Sequence, residues 1–235
     1  MIISIPILDH GVAAPIASEM LRHRATVFRD ILEWDVTVND KGEEIDQFDS
    51  LPGTYLVSVD EKMRVQAGVR LLPTMGPYMA SDVFADLLDS KMPPRSPMIW
   101  EASRLFSRPA GDASSEKSNR YWASNAHNQY VAELICGLSC YSSQIGLGQI
   151  VGVFDIAVER FLKSMGVACE RLGEPHTLPS GRAVVGICET DTQQFKPLAR
   201  KWGFDLSNLV KTPNDLRIEG HKLNTEIPVK LAVNK

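Results

Sequence analysis

The chain has 235 residues, 44% of them hydrophobic and 23% charged, which is enough apolar material for one large domain with a sizeable core and excludes a disordered chain. No apolar run approaches the ~18–20 residues of a membrane-spanning helix. The net charge of −4 argues against general nucleic-acid binding, yet it is unevenly placed: residues 1–155 hold 13 Lys and Arg against 20 Asp and Glu, and residues 156–235 hold 12 against 9.

Read in chain order, Met1 to Leu8 has no basic flank and soon meets Asp9 and His10, so it predicts a first strand (2–8) rather than a secretory signal. A cytoplasmic protein with no stable membrane anchor is expected. A helix over 14–33 and a loop over 35–53 follow. Strands 54–60 and 64–72 flank Asp60-Glu61-Lys62-Met63, which reads as a hairpin turn. Helix 82–90, strand 98–106 and a Ser/Gly-rich loop at 107–118 come next. Then come helix 120–145, strand 149–154, helix 155–165, strands 167–172 and 182–189, and helix 192–202. The tail over 203–235 gives no clear pattern. An early hairpin followed by β-α-β alternation predicts one domain over 1–235, a three-layer α/β/α sandwich on a mixed sheet. Dinucleotide and P-loop glycine signatures are absent.

The four cysteines show no C-x-x-C spacing, and the five histidines form no ligand pair, so buried reduced thiols and no metal are expected. Four other places do not fit a bland core. Arg24 lies four residues after Met20 and four before Phe28, hence on an apolar helical stripe. There it is either a snorkelling side chain or a buried cation that needs a carboxylate or a ligand. The acidic loop Glu43–Asp49 carries Asp46 and Asp49, either a solvated turn or a carboxylate pair for such a cation. Strand 64–72 puts Arg70 opposite its apolar face, and Gly68 weakens it unless a group approaches closely or a bulge is present. In strand 98–106, Glu101 and Ser103 share one face while strict alternation puts Arg104 on the other. A β-bulge between Ser103 and Arg104 would unite them, and a glutamate in an apolar cleft acquires a raised pKa suited to base catalysis.

Together these pieces resemble the acyl-homoserine-lactone synthases, the LuxI-type autoinducer synthases of bacterial quorum sensing, most strongly over residues 20–175. The match runs through Arg22-His23-Arg24-Ala25-Thr26-Val27-Phe28, Leu32-Glu33-Trp34-Asp35, Glu44 to Asp49, and Arg70-Leu71-Leu72-Pro73-Thr74. It continues through Gly76-Pro77-Tyr78-Met79, Phe84, Trp100-Glu101-Ala102-Ser103-Arg104, Glu159-Arg160-Phe161-Leu162 and Arg171 to Pro175. The resemblance implies an acetyltransferase-like fold with a V-shaped opening between strands 98–106 and 149–154. It also implies S-adenosylmethionine as amine donor and substrate, with no separate cofactor, and an acyl thioester on acyl carrier protein or coenzyme A. Its adenosylmethionine site maps onto Arg24, Phe28, Trp34, Asp46, Asp49, Arg70 and Arg104. Its catalytic strand maps onto Glu101, as general base, with Ser103 and Arg104.

Leu105 stands where the family commonly has Phe, and Gly152 and Phe154 stand where many relatives have Thr. Phe84, Gly152, Val153 and Phe154 are the expected acyl-pocket residues, with Gly152 and Phe154 on the strand face opposite Glu101. Arg160, Lys163 and Arg171 are the expected carrier contacts, flanked by Lys196, Arg200 and Lys201. Two other readings are an N-acyltransferase that uses acyl-coenzyme A and a different amine, and a ligand-binding relative without chemistry.

Overall fold

The computed structural model of the chain describes residues 1–108, 121, 129–179 and 181–218. The expected loop at 107–118 and the start of the helix at 120–145 fall largely outside the described residues, as does the tail beyond 218. Ile2–Pro6 (β1) reads Ile-Ile-Ser-Ile-Pro and is buried up to its terminal proline, which cannot donate to a ladder and ends the strand. Ala14–Ala25 (α1) begins with Pro15 in its first turn, a position where the missing N–H costs nothing. Thr54–Val59 (β2) and Val65–Pro73 (β3) form the expected hairpin, closed by Asp60 N–H donating to Arg64 O at 3.0 Å. After the single helical turn Met79–Asp82 (α2) come Ile99–Ser107 (β4), Gln129–Ile145 (α3), Gln149–Asp155 (β5) and Ile156–Ser164 (α4). Cys169–Arg171 (β6), His176–Leu178 (β7), Gly181–Glu189 (β8), Thr192–Trp202 (α5), Val210–Lys211 (β9) and Pro213–Ile218 (α6) complete the chain.

Among the described residues, nine strands make one mixed sheet in the order β6-β8-β5-β4-β3-β2-β1-β9, with β7 paired to β8. Every residue of β2 is buried, so both sheet faces are covered. On one face, Gly68 lies against Phe106 and Met20 of α1. The other face, which carries Ile2, Ser58 and Ala67 in register, meets α3: Gly137 lies against Ile2, and Ser58 donates to Glu133. The α/β/α layering is therefore as expected. Among the described residues, no helix is long and apolar enough to cross a membrane.

Several local expectations need correction. The helix expected over 14–33 is α-helical only to Ala25 and continues as a wider π-turn over Thr26–Ile31. Leu32 N–H then reaches Val27 O at 2.9 Å, and Glu33 turns the chain at φ 55°. The helix expected over 82–90 is instead α2 and a separate 3₁₀ turn at Ala85–Leu88, ended by Asp89 and Ser90 in left-handed backbone. Two of the four thiols are not reduced: Cys169 and Cys188 occupy directly paired positions of β6 and β8 and form a disulfide. Sequence spacing carries no record of that pairing, because it arises only when the two strands dock. Cys136 and Cys140 stay free and buried in α3, and burial pushes the Cys136 thiol up to about 12.

The two central strands set up the site. Parallel pairing of β4 with β5 covers only Ile99↔Gln149, Trp100↔Ile150 and Glu101↔Val151, after which the strands part. Opposite β3, Arg70 pairs with Ser103 and Gly68 with Phe106, so β4 holds one extra residue there. That is the expected bulge, with Arg104 in left-handed backbone at φ 57°. A bulge bends its strand, which carries β4 away from β5 and opens a V between them.

Gly68 is required by this packing, since a Cβ there would stand 2.6 Å from the Phe106 ring. Gly68→Ala is expected to lose roughly 1–3 kcal/mol by overpacking. Urea unfolding should show the loss and its partial recovery in Gly68→Ala/Phe106→Leu; independent, additive effects would contradict direct contact.

Candidate active site

Register decides which residues meet. Tyr55 pairs with Arg70, Arg70 with Ser103, and Leu72 with Glu101, so all of these project on the α1 face. The bulge brings Arg104 to the same face, where it meets the acidic loop. That loop is anchored by Glu44 N–H, which donates to Leu21 O at 3.1 Å, and by a capping box in which Asp46 and Asp49 exchange bonds across the turn Gln47–Ser50.

Three arginines and three carboxylates interlock there. Arg24 donates from Nε to Glu44 at 2.6 Å and from both Nη atoms to Asp49 at 2.9 and 2.8 Å. Arg70 donates to both oxygens of Asp46 at 2.5 and 3.1 Å and to Ser103 Oγ at 3.1 Å, and lies 2.9 Å from Asp49. Arg104 Nη2 lies 2.9 Å from Asp46, while its Nε faces Glu44 at 3.2 Å without hydrogen-bond alignment. The Tyr55 hydroxyl donates to Asp49 at 2.8 Å. Burial alone would raise the Asp49 pKa, but Arg24 and then Arg70 hold it well below the usual carboxylate range. Burial lowers the Arg104 pKa, against the pull of Glu44 and Asp46.

Arg24 is therefore a buried, paired cation and not a snorkelling one, and Asp46 and Asp49 are not a solvated turn. Glu44 is the participant that reading the sequence missed. Three arginines set against two aspartates leave one positive charge without a partner, and that imbalance was the available signal.

Beside this network, Phe28 and Trp34 stack with centroids 5.1 Å apart, and Arg104 lies 5.4 Å over the Phe28 ring. Trp34, Phe84, Glu101, Ser103, Arg104 and Val153 line an open cleft of about 540 Å³. Arg24, Asp46, Asp49 and Arg70 stand behind its wall. Phe84, expected in the acyl pocket, lines this cleft, below the turn in which Met79 and Ala80 cover Glu101.

Through the V lies an apolar chamber of about 130 Å³ on the α3 face, lined by Phe28, Leu105, Leu138, Ile150, Phe154 and Leu162 among others. Trp34, Ser103, Arg104, Val153 and Asp155 border both spaces. Gly152 and Phe154 do lie on the face opposite Glu101. The side chain seated on Gly152, however, is Phe154 itself.

Glu101 is fully buried, and its carboxylate accepts backbone N–H bonds from Met79 at 2.9 Å and Ala80 at 2.7 Å. Burial pushes its pKa up to about 7, although those two bonds favour the anion. Each oxygen keeps a further lone pair for a proton. Arg160, Lys163 and Arg171 lie elsewhere, on the outer surface of α4 and β6. Lys163 and Arg171 both bind Glu159, at 2.9 and 2.7 Å, and the Arg171 bonds hold the Glu159 carboxyl down at about 2.

A buried carboxyl of near-neutral pKa thus lies between a polar cleft and an apolar chamber that are joined through splayed parallel strands, in a sheet of acetyltransferase-like fold. The chain belongs to the autoinducer synthase family, whose model matches residues 12–198. It is 36% identical over 168 residues to an acyl-homoserine-lactone synthase of Aliivibrio fischeri, covering 71% of this chain and 82% of that one. It is 35% identical over 179 residues to one from Agrobacterium fabrum, covering 76% and 81%. The structure of the synthase LasI matches with TM-score 0.68 and 29% identity over 83% of this chain and 93% of that chain. The coenzyme A-dependent synthase BjaI, solved with adenosylmethionine and isopentyl-coenzyme A, has the same fold, with TM-score 0.77 and 21% identity over 90% and 92%. The chain is thus an acyltransferase that makes an acyl-homoserine lactone signal.

Arg24→Ala leaves Glu44 and Asp49 buried with reduced compensation, an expected loss of roughly 3–5 kcal/mol by chemical denaturation. Because the Asp49 pKa is depressed on folding, its contribution is present above pH ~4 and is lost as pH falls towards its folded value. Unfolding curves between pH 3 and 7 should show this acid loss in wild type and a flatter profile in Arg24→Ala. Equal stability of the two proteins at pH 7 would show that the Arg24 ion pairs add no net stability.

Proposed function

We propose that the cleft binds S-adenosylmethionine, that the chamber takes the acyl chain of a thioester, and that Glu101 is the general base. The position of Glu101, buried where the cleft meets the V, carries this reading. The stacked Phe28 and Trp34 present an aromatic edge that suits a sulfonium or an adenine. Arg104 is the cleft-facing guanidinium for the substrate carboxylate, and its Nε has no aligned acceptor. Arg24 and Arg70 act behind it by holding Asp46 and Asp49 in place.

In the first step Glu101, directly or through water, takes a proton from the substrate ammonium. The freed amine attacks the thioester carbonyl, and the tetrahedral oxyanion is met by backbone N–H groups at the Ser103–Leu105 bulge. The C–S bond then breaks and the thiolate leaves, taking up a proton. In the second step the substrate carboxylate attacks its own γ-carbon. The C–S⁺ bond breaks, the lactone closes and methylthioadenosine departs as a neutral thioether. This step needs chiefly positioning, since the sulfonium is already an excellent leaving group.

The chamber is walled by α4 and α5 through Val158, Leu162 and Phe195, and the outer surfaces of these helices carry the exposed Arg160, Lys163, Lys196, Arg200 and Lys201. We assign this basic surface to an acidic acyl carrier protein, with Arg160 contributing most because Glu159 partly neutralises Lys163 and Arg171.

Glu101→Gln is expected to lower turnover by ~10²–10⁴ while changing adenosylmethionine affinity far less. In wild type, kcat/KM should rise with pH through about 7 as Glu101 ionises. In the variant that limb should move to the substrate amine, near pH ~8. Near-normal turnover of the purified variant would remove the assignment.

Arg160→Ala/Lys163→Ala should slow carrier-protein reactions at low salt, and added salt should erase the difference. Carrier kinetics indifferent to both, or reaction with coenzyme A thioesters alone, would rule out this docking surface.

A further inference from the structure

The far side of the V limits what the enzyme can acylate with. Resting on the reading that the chamber takes the acyl chain, we propose that this chain uses a short or compact acyl group. The limit is about six carbons beyond the thioester carbonyl, without a polar group at its far end, and Phe154 sets it. The chamber holds about 130 Å³, and its walls include the buried Leu134, Leu162 and Phe195 and the half-buried Leu138. An apolar protein cavity of roughly 150 Å³ is filled by one benzene molecule, so a space of this size takes a compact six-carbon tail and not an extended ten-carbon one.

The position of Phe154 explains the restriction. Gly152 and Gly186 are directly paired across β5 and β8, and the Phe154 ring lies over both. A Cβ at position 152 would stand 3.0 Å from ring atoms Cε1 and Cζ, and one at 186 would stand 2.9 Å from Cε2. The glycine pair is thus the seat of the ring, which fills the floor where a longer chain would run.

Away from the V, where Ser103, Arg104 and Asp155 stand, the chamber wall holds few polar groups, and those have partners within the protein. Thr190 Oγ1 donates to Leu147 O at 2.9 Å, and Glu189 accepts from Gln149 Nε2 at 2.7 Å. The Cys188 sulfur is tied to Cys169. A hydroxylated or charged tail end would be buried there without a partner, which is costly.

The experiment measures methylthioadenosine release from adenosylmethionine with butanoyl, 3-methylbutanoyl, benzoyl, hexanoyl, octanoyl, decanoyl and dodecanoyl thioesters. Each is offered on coenzyme A and on acyl carrier protein, to wild type, Phe154→Ala, Phe154→Leu and Gly152→Ala. In wild type kcat/KM should peak at or below hexanoyl and fall about tenfold or more for each methylene past the limit. Phe154→Ala, or Phe154→Leu if the alanine variant does not fold, should move the optimum up by at least two carbons. Gly152→Ala should tip the ring into the chamber and favour the shortest donors. A wild-type optimum at octanoyl or any longer donor, or an optimum unmoved in a folded Phe154 variant, overturns the size limit while leaving the synthase reading intact. No methylthioadenosine from any thioester on either carrier overturns the synthase reading and the chamber assignment with it.

Discussion

Three guanidinium groups cannot be buried alone, and the architecture of the site follows from how they are neutralised. An unpaired buried charge would cost more than a domain of this size can spare. Arg24, Arg70 and Arg104 come from a helix, a strand and a bulge, and Glu44, Asp46 and Asp49 come from one loop. The network therefore fixes that loop against the sheet and holds β4 in its left-handed turn at Arg104. By holding the bulge, it also maintains the departure of β4 from β5. The ion-pair network and the V-shaped opening are one construction.

That construction separates two chemical environments by the two faces of a single sheet. On the α1 face, charges and aromatic rings surround an open cleft suited to a zwitterionic sulfonium substrate. On the α3 face, aliphatic and aromatic side chains line an apolar chamber. The parted strands leave a passage between the two, bordered by Trp34, Ser103, Arg104, Val153 and Asp155. Glu101 stands where β4 still pairs with β5, at the rigid end of the V.

Two opposing influences act on the carboxyl of Glu101. As acceptor for Met79 and Ala80 N–H it orders the turn that roofs the cleft, and those bonds favour its anion. Burial favours its neutral form more strongly and brings its pKa up to about 7. The same surroundings that set this pKa thus shape the roof of the cleft.

The sequence by itself determined the class of fold, the order of nearly all its elements and the residues of the charged network except Glu44. Helical spacing put Arg24 on an apolar stripe, and strand alternation set Arg70, Glu101 and Ser103 apart from the apolar faces, because both periods are local properties of the backbone. The bulge at Arg104 was legible for the same reason: alternation failed there unless one residue was added. Only the tertiary structure decided what met across the sheet. Glu44 joined the network because its loop docks on α1. Cys169 met Cys188 because β6 and β8 align, and Phe154 found its seat because Gly152 and Gly186 pair. The π-turn that stacks Phe28 on Trp34 likewise depends on packing rather than propensity. Each of these is a contact between residues distant along the chain, and local periodicity carries no information about which distant partner the register will supply.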